Sequence, residues 1–245
     1  MFAVSPSIAF RIILWAVSAL LFGTAASTEQ RQQEKSSATP AASATPTPDT
    51  GIDRPTSEPY TGSLSIFEDP KRAEKLQIDR VMDLLSIRSG SAVADIGAGS
   101  GWFTVRAAQR VGSAGAVYAV DINQEYVSHI KLRAEKEGFK NIKPVLGKED
   151  DPALPENSVD SILILKTYHE FSKPINMLLA MRKAMRKDAL LGIIDKNGEG
   201  DDHGLDAEKV IEEAERSGLV LVSQHDFVKP DNMDYFLIFR KTAAP

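Results

Sequence analysis

The sequence predicts an α/β domain built on a mostly parallel sheet of seven strands. From about residue 62, short apolar runs alternate with segments of helical periodicity, as in successive strand–helix units. A glycine-rich loop follows the first of these runs, and the last two runs are separated only by the turn-like residues 229–232. So short a connection cannot make a parallel crossover, and these two strands should therefore form an antiparallel hairpin.

Each element has its own signal in the chain. Asp69 followed by Pro70 is typical of a helix start, so a first helix is predicted from there to about Ser86. Strands are predicted at 92–96, 116–122, 141–147, 159–165, 189–195, 219–227 and 233–241. Further helices are predicted at about 101–111, 123–137 and 206–217, with one more opened by Pro174.

Composition narrows the possible functions. The chain has 245 residues, of which 42% are hydrophobic and 26% charged, and this is typical of one globular domain with an extension. Its net charge of -5 gives no general attraction to a phosphate backbone, so nucleic acid is not an expected partner. The absence of cysteine excludes thiolate metal sites, thiol nucleophiles and disulfides.

The first 61 residues differ from the rest. An uncharged, largely apolar run follows Arg11, and we interpret residues 1–27 as a signal sequence or a membrane anchor, with cleavage and anchoring both open. Residues 28–61 are rich in Ser, Thr, Ala and Pro and are predicted to be a disordered linker. The domain is placed at 62–245, exported or held at a membrane only through the N-terminal segment.

The most informative segment is VADIGAGSGWF at 93–103, in which a strand containing Asp95 leads into a glycine loop and then a helix. Backbone can approach a ligand closely there, and a nucleotide-type ligand is the natural occupant. Trp102 stands where the dinucleotide fingerprint G-x-G-x-x-G has its third glycine, so a cofactor with an amino acid and a nucleoside is favoured over a dinucleotide. Alternatively, the glycines only make a tight turn.

An acid also ends the second strand. Asp121 can accept both hydrogen bonds from a ribose diol, or it can cap the following helix. Asn123 is an alternative cap, which would leave Asp121 for a ligand.

These residues resemble the class I S-adenosylmethionine-dependent methyltransferases over about 68–241. The resemblance is carried by VADIGAGSGWFT, VYAVDI, VLGKEDDPALPENSVDSILIL with TYHEF directly after it, and the closing hairpin. It implies a Rossmann-like sheet in the order 3-2-1-4-5-7-6, with the last strand antiparallel and helices on both faces. It also implies S-adenosyl-L-methionine as the cofactor.

The resemblance assigns cofactor contacts residue by residue. The amino acid end would be held by the glycine-loop residues Asp95, Gly97, Ala98, Gly99 and Gly101. Asp121 would bind the ribose, and Ile122 would pack on the adenine ring. Many relatives place an acid directly after the glycine that ends the third strand, whereas Lys148 stands here; Asp150 is therefore our choice for the adenine contact and Glu149 the next, unless this is only a solvated acidic turn.

The segment after the fourth strand should face the reactive methyl group, because ligands bind outside the carboxyl ends of strands at a topological switch point. His169 is predicted as the general base, with Glu170 acting itself or orienting the imidazole. Tyr168 could stack on a flat acceptor or hydrogen-bond to it. Alternatively, His169 or Glu170 caps the next helix or packs the loop.

Residues 195–204, after the fifth strand, are predicted as a mobile lid or substrate wall. Asp201, Asp202 and His203 offer ligands for a divalent cation, but no metal is predicted.

The Asn/Asp-Pro-Pro-aromatic signature of amino-group DNA methyltransferases is absent after the fourth strand, which leaves a small molecule as the expected methyl acceptor. A second hypothesis is a non-catalytic cofactor-binding protein, and a nicotinamide-dependent oxidoreductase is disfavoured by Trp102 and the hairpin.

Overall fold

The computed structural model describes residues 51–56, 60, 62–199 and 203–242. Within them, seven strands form one sheet in the order β3-β2-β1-β4-β5-β7-β6. The strands are β1 (Ala92–Ile96), β2 (Ala116–Asp121), β3 (Ile142–Leu146), β4 (Val159–Leu165), β5 (Met185–Asp195), β6 (Leu219–His225) and β7 (Tyr235–Lys241). β7 runs antiparallel to both of its neighbours, and the other pairs are parallel. The predicted strand order and hairpin are confirmed.

Helices cover both faces of the sheet. They are α1 (Arg72–Lys75), α2 (Ile78–Leu84), α3 (Trp102–Val111), α4 (Gln124–Glu137), α5 (Pro174–Ala184) and α6 (Ala207–Arg216). Successive β1 residues point to opposite faces, as the pleat requires: Val93 joins the apolar cluster beneath α2, α3 and α4, and Ala94 joins the one beneath α5 and α6. The sheet is thus sealed on both sides, and its carboxyl edge remains for ligands.

The first helix and the start of the fifth strand differ most from the prediction. The single helix expected from Asp69 to Ser86 is divided into α1 and α2, because Gln77 adopts a left-handed conformation with φ of 47°. β5 begins at Met185 instead of 189. Residues 186–188 belong to the strand, but they are charged and exposed. An apolar-run criterion misses such a segment.

The N-terminal prediction meets the structure only at its end. Residues 1–27 and most of 28–61 lie outside the described residues. Arg54, inside the segment predicted as linker, forms an ion pair of 2.6 Å with the buried Glu213 of α6, and its backbone N–H donates to the Ser172 carbonyl. The packed domain therefore begins before residue 62. Among the helices in the described ranges, none is long and apolar enough to cross a membrane.

Candidate active site at the carboxyl edge of the sheet

The glycine loop joins β1 to α3 through backbone that only glycine adopts readily. Gly97, Gly99 and Gly101 have φ values of 73°, 54° and 78°. A Cβ atom on Gly97 would lie 2.3 Å from Cγ2 of Thr167, which follows β4. The loops after β1 and β4 therefore meet at Gly97, and the buried Ala98 lies beside this contact.

Asp95 lies beneath the glycine loop. Its side chain is buried, and Oδ2 accepts a hydrogen bond of 2.6 Å from the Thr104 hydroxyl of α3. Burial raises the pKa of Asp95 to about 7, and the negative charge of Asp121 contributes in the same direction. A positively charged ligand group placed here would favour the carboxylate form.

Asp121 links the end of β2 to the glycine loop. Its Oδ2 accepts from the Gly99 N–H at 2.9 Å and its Oδ1 from the Asn123 N–H at 2.9 Å. Burial raises the pKa of this carboxyl as well. Asn123 caps α4 by accepting from the Glu125 N–H at 2.8 Å, so Asp121 is not the cap. Ile122 presents a half-exposed side chain beside it.

The acidic loop after β3 adjoins this edge. Gly147 donates its N–H to the Asp121 carbonyl at 2.9 Å, which brings the start of the loop to the end of β2. Glu149 is exposed. Asp150 lines a shallow cavity of about 360 Å³ between the loop and α5, together with Lys148 and Lys183.

A series of carboxylates and imidazoles follows β4 and β5, and we call it the His–carboxylate chain: Asp195, His169, Glu170 and His203. His169 Nδ1 lies 2.9 Å from Asp195 Oδ2, and its Nε2 lies 3.1 Å from Glu170 Oε1. The same Glu170 oxygen lies 3.2 Å from Nδ1 of His203. His169 and Asp195 are buried, whereas the Glu170 side chain is 31% exposed and that of His203 62%.

The exposure of these groups changes one expectation. His169 is 2% exposed and both of its ring nitrogens face carboxylates, so it is poorly placed to touch an acceptor. Glu170 is the accessible carboxylate of the pair. His169 therefore fits an orienting role better than the role of direct base.

Tyr168 also lies elsewhere than the sequence suggests. It is fully buried, its ring packs against Phe171, and its hydroxyl donates to Glu213 at 2.8 Å. The ring of Tyr168 is thus packed in the apolar core, and its hydroxyl is hydrogen-bonded to a buried acceptor. Tyr168 thus holds the loop in place and does not present its ring or hydroxyl to an acceptor.

Comparison with known proteins identifies the fold's family. A sequence profile described as a methyltransferase domain matches residues 87–226, more than half of the chain. The chain belongs to the class I S-adenosylmethionine-dependent methyltransferases. Its cofactor is therefore S-adenosylmethionine.

Individual relatives of this methyltransferase domain include a solved structure and proteins whose names give different substrates. A crystal structure of an S-adenosylmethionine-dependent methyltransferase from Aquifex aeolicus superposes with a TM-score of 0.66 at 26% identity, covering 72% of this chain and 95% of that one. The nocamycin O-methyltransferase of Saccharothrix syringae is 29% identical over 114 residues, 46% of this chain and 41% of that protein. A protein-L-isoaspartate O-methyltransferase of Pyrococcus horikoshii is 28% identical over 95 residues, 39% and 42% of the two chains. The chain thus spans less than half the length of these curated relatives.

Sequence reasoning missed some residues of the methyltransferase site and could not place others. Asp195 was predicted both as the last residue of the fifth strand and as the first of the loop after it, but it was given no role beside His169. An acid at the end of a buried strand, as Asp121 is in β2, is the signal that could have found that role. Thr167 has no such signal, because its contact with Gly97 depends on tertiary packing. Asp201 and Asp202 lie outside the described residues.

Proposed function

We propose that this methyltransferase transfers the methyl group of S-adenosylmethionine to a small-molecule acceptor that loses a proton as it is methylated, such as a hydroxyl compound. The observation that carries this proposal is the His–carboxylate chain, which lies beside the glycine loop at the carboxyl edge of the sheet. The O-methyltransferases among its relatives support an oxygen acceptor. The nocamycin enzyme supports a small one.

The residues at this edge fit the cofactor. The left-handed glycines bring backbone without side chains to this edge, so a ligand can approach it closely, and the buried Asp95 carboxyl suits a ligand with a positive charge. Each Asp121 oxygen accepts one backbone N–H and, with two lone pairs, can also accept from a ribose hydroxyl. Ile122 offers apolar surface for the adenine ring, and Asp150 and Glu149 are our candidates for its amino group.

The protein's own contribution to the reaction is positioning and proton removal. Bound S-adenosylmethionine supplies an electrophilic methyl group. Gly97 and the neighbouring loops hold the two reactants in line, and orientation of this kind contributes much of an enzyme's rate enhancement. Glu170 takes the acceptor proton on a carboxylate oxygen.

His169 and Asp195 are positioning residues for Glu170. Asp195 accepts from Nδ1–H of His169, which fixes the imidazole ring. A ring protonated on both nitrogens donates to both carboxylates, whereas a ring protonated only on Nδ1 turns a lone pair towards Glu170. The His–carboxylate chain can therefore form a hydrogen bond between His169 and Glu170 both before and after Glu170 takes up a proton.

A labelled-methyl assay tests the proposal. Full-length protein is incubated with methyl-labelled S-adenosylmethionine and a panel of small hydroxylated compounds, and labelled product is quantified. Glu170→Gln should lower turnover by about 10²- to 10⁴-fold, with unchanged cofactor affinity. Glu156→Gln, an exposed acid away from this edge, is the matched control.

Two results would count against the proposal. If Glu170→Gln turns over as fast as the parent protein, Glu170 is not the base. Cofactor binding without transfer to any acceptor class favours the non-catalytic alternative.

A further inference from the structure

We infer that His169, Glu170 and His203 form a binding site for a divalent transition-metal ion. One ligand atom from each residue lies within 4.8 Å of the other two. Two imidazoles and one carboxylate are a donor set suited to Zn²⁺, Fe²⁺ or Co²⁺, whereas Mg²⁺ and Ca²⁺ prefer oxygen ligands.

The distances suit an ion between the three side chains. His169 Nε2 and His203 Nδ1 lie 3.1 and 3.2 Å from the same Glu170 oxygen. Ligands in neighbouring positions around an ion with bonds of about 2.1 Å are roughly 3.0 to 3.4 Å apart. This arrangement is thus close to a coordination shell, in which metal bonds would replace the hydrogen bonds.

Asp195 supplies a second, independent indication. Metal-bound histidines commonly donate their other ring N–H to a carboxylate, which fixes the tautomer and directs the free lone pair at the metal. Asp195 accepts at Nδ1 of the buried His169, so Nε2 is the nitrogen left to bind an ion. A buried acid at this place is explained by such an orienting role.

The site is open, because three protein ligands leave coordination positions for other oxygen donors. Its position at the methyl-transfer edge suggests that an acceptor hydroxyl binds there, where the ion would lower the pKa of that hydroxyl. This use rests on the proposed function, and the metal site itself does not. With an ion bound, Glu170 would be a ligand, and the acceptor hydroxyl, acidified by the ion, would release its proton to solvent water instead of to Glu170.

Metal binding can be measured without cofactor or acceptor. Full-length apo protein is titrated with Zn²⁺ by calorimetry, and Co²⁺ is used as a spectroscopic probe of its ligands. We expect one ion per chain, with affinity reduced at least tenfold in His203→Ala. His203 is exposed, so this variant should fold normally, and Glu170→Gln is a second variant with the same expectation.

His129→Ala is the matched control, since His129 is an exposed histidine on α4. It should bind Zn²⁺ as the parent protein does. The inference is overturned if the parent protein shows no stoichiometric site or if His203→Ala and Glu170→Gln both bind like the parent. S-adenosylmethionine affinity should be unchanged in His203→Ala. If no metal binds, the proposed methyl transfer is not contradicted. If no cofactor binds, the result of the metal titration is not affected.

Discussion

At the residue scale, the buried acid under the glycine loop should couple cofactor binding to pH. The pKa of Asp95 in the free protein is raised to about 7, and a bound cationic amino acid end would lower it. Binding at pH 6 must then release a proton. Affinity for S-adenosylmethionine should rise about fivefold between pH 6 and pH 7, and it should fall again above about pH 8, where the cofactor's own amino group loses its proton.

Calorimetry across this pH range checks the coupling. Asp95→Asn should bind weakly with little pH dependence from this position, while Asp226→Asn, an exposed acid beyond β6, should behave like the parent protein. Equal affinity at pH 6 and pH 7 in the parent protein would show that Asp95 does not face the cofactor's charge.

The same group affects stability in the opposite sense. The folded protein holds the Asp95 proton up to about pH 7, whereas the unfolded chain releases it near the ordinary pKa of 3.8. Stability is therefore lost as pH rises between these values, by up to about 1.4 kcal/mol per pH unit. Asp95→Asn should unfold at higher denaturant concentration than the parent protein at pH 8, and the difference should shrink towards pH 4; no difference at pH 8 would contradict this account.

Gly97 separates a steric requirement from a conformational one. Gly97 and Gly138 have similar φ values of 73° and 78°, but nothing lies within 4 Å of a Cβ atom on Gly138. Gly138→Ala should cost about 1 kcal/mol of unfolding free energy, and Gly97→Ala about 1 to 3 kcal/mol more, because of the overlap with Thr167. Only Gly97→Ala should weaken cofactor binding. If denaturant titrations give the same loss of unfolding free energy for both variants, the close approach of Gly97 and Thr167 is contradicted.

At the element scale, the segment before the first helix is joined to α6 by a buried ion pair. Arg54 contacts both carboxylate oxygens of Glu213, which also accepts from Tyr168. Arg54→Ala leaves a buried charge uncompensated and should cost about 3 to 5 kcal/mol. Arg54→Ala/Glu213→Gln should be less unstable than the two single changes predict together.

Denaturant unfolding measures these variants. Lys229→Ala breaks an exposed ion pair with Asp226 and should leave stability unchanged. If Arg54→Ala also leaves stability unchanged, the segment around residue 54 is not part of the packed domain.

Elements with a strong periodic signal were predictable, and those fixed by tertiary contacts were not. β4 begins and ends where its apolar run does, and Pro174 opens α5 as expected. The break at Gln77 has no counterpart in the apolar pattern. The burial of Tyr168 was hidden because its partner Glu213 is remote in sequence and reads as one more acid of a surface helix.

At the scale of the whole molecule, topology explains why the site was partly predictable. Strand order brings the carboxyl ends of β1, β2, β4 and β5 to one edge, so residues near those ends could be grouped before any side chain was placed. The roles within the group depend on exposure and pairing. Only the structure shows Glu170 accessible and His169 enclosed by two carboxylates.

Localisation belongs to this scale as well. We propose that residues 1–27 direct the domain out of the cytosol, because an apolar run with small residues after it is typical of an export signal. Protease is added to cells whose outer layer has been made permeable while the cytosol stays enclosed, and it should degrade the domain. A protected domain in the cytosolic fraction would contradict export.

The central claim is that this edge of the sheet binds S-adenosylmethionine, and calorimetric titration of the full-length protein tests it most directly. We expect one micromolar site for S-adenosylmethionine and S-adenosylhomocysteine and none for NAD, with affinity at least tenfold lower in Asp121→Ala and unchanged in Asp226→Asn. Absence of binding, a preference for NAD, or an Asp121→Ala variant that binds like the parent protein would contradict the account.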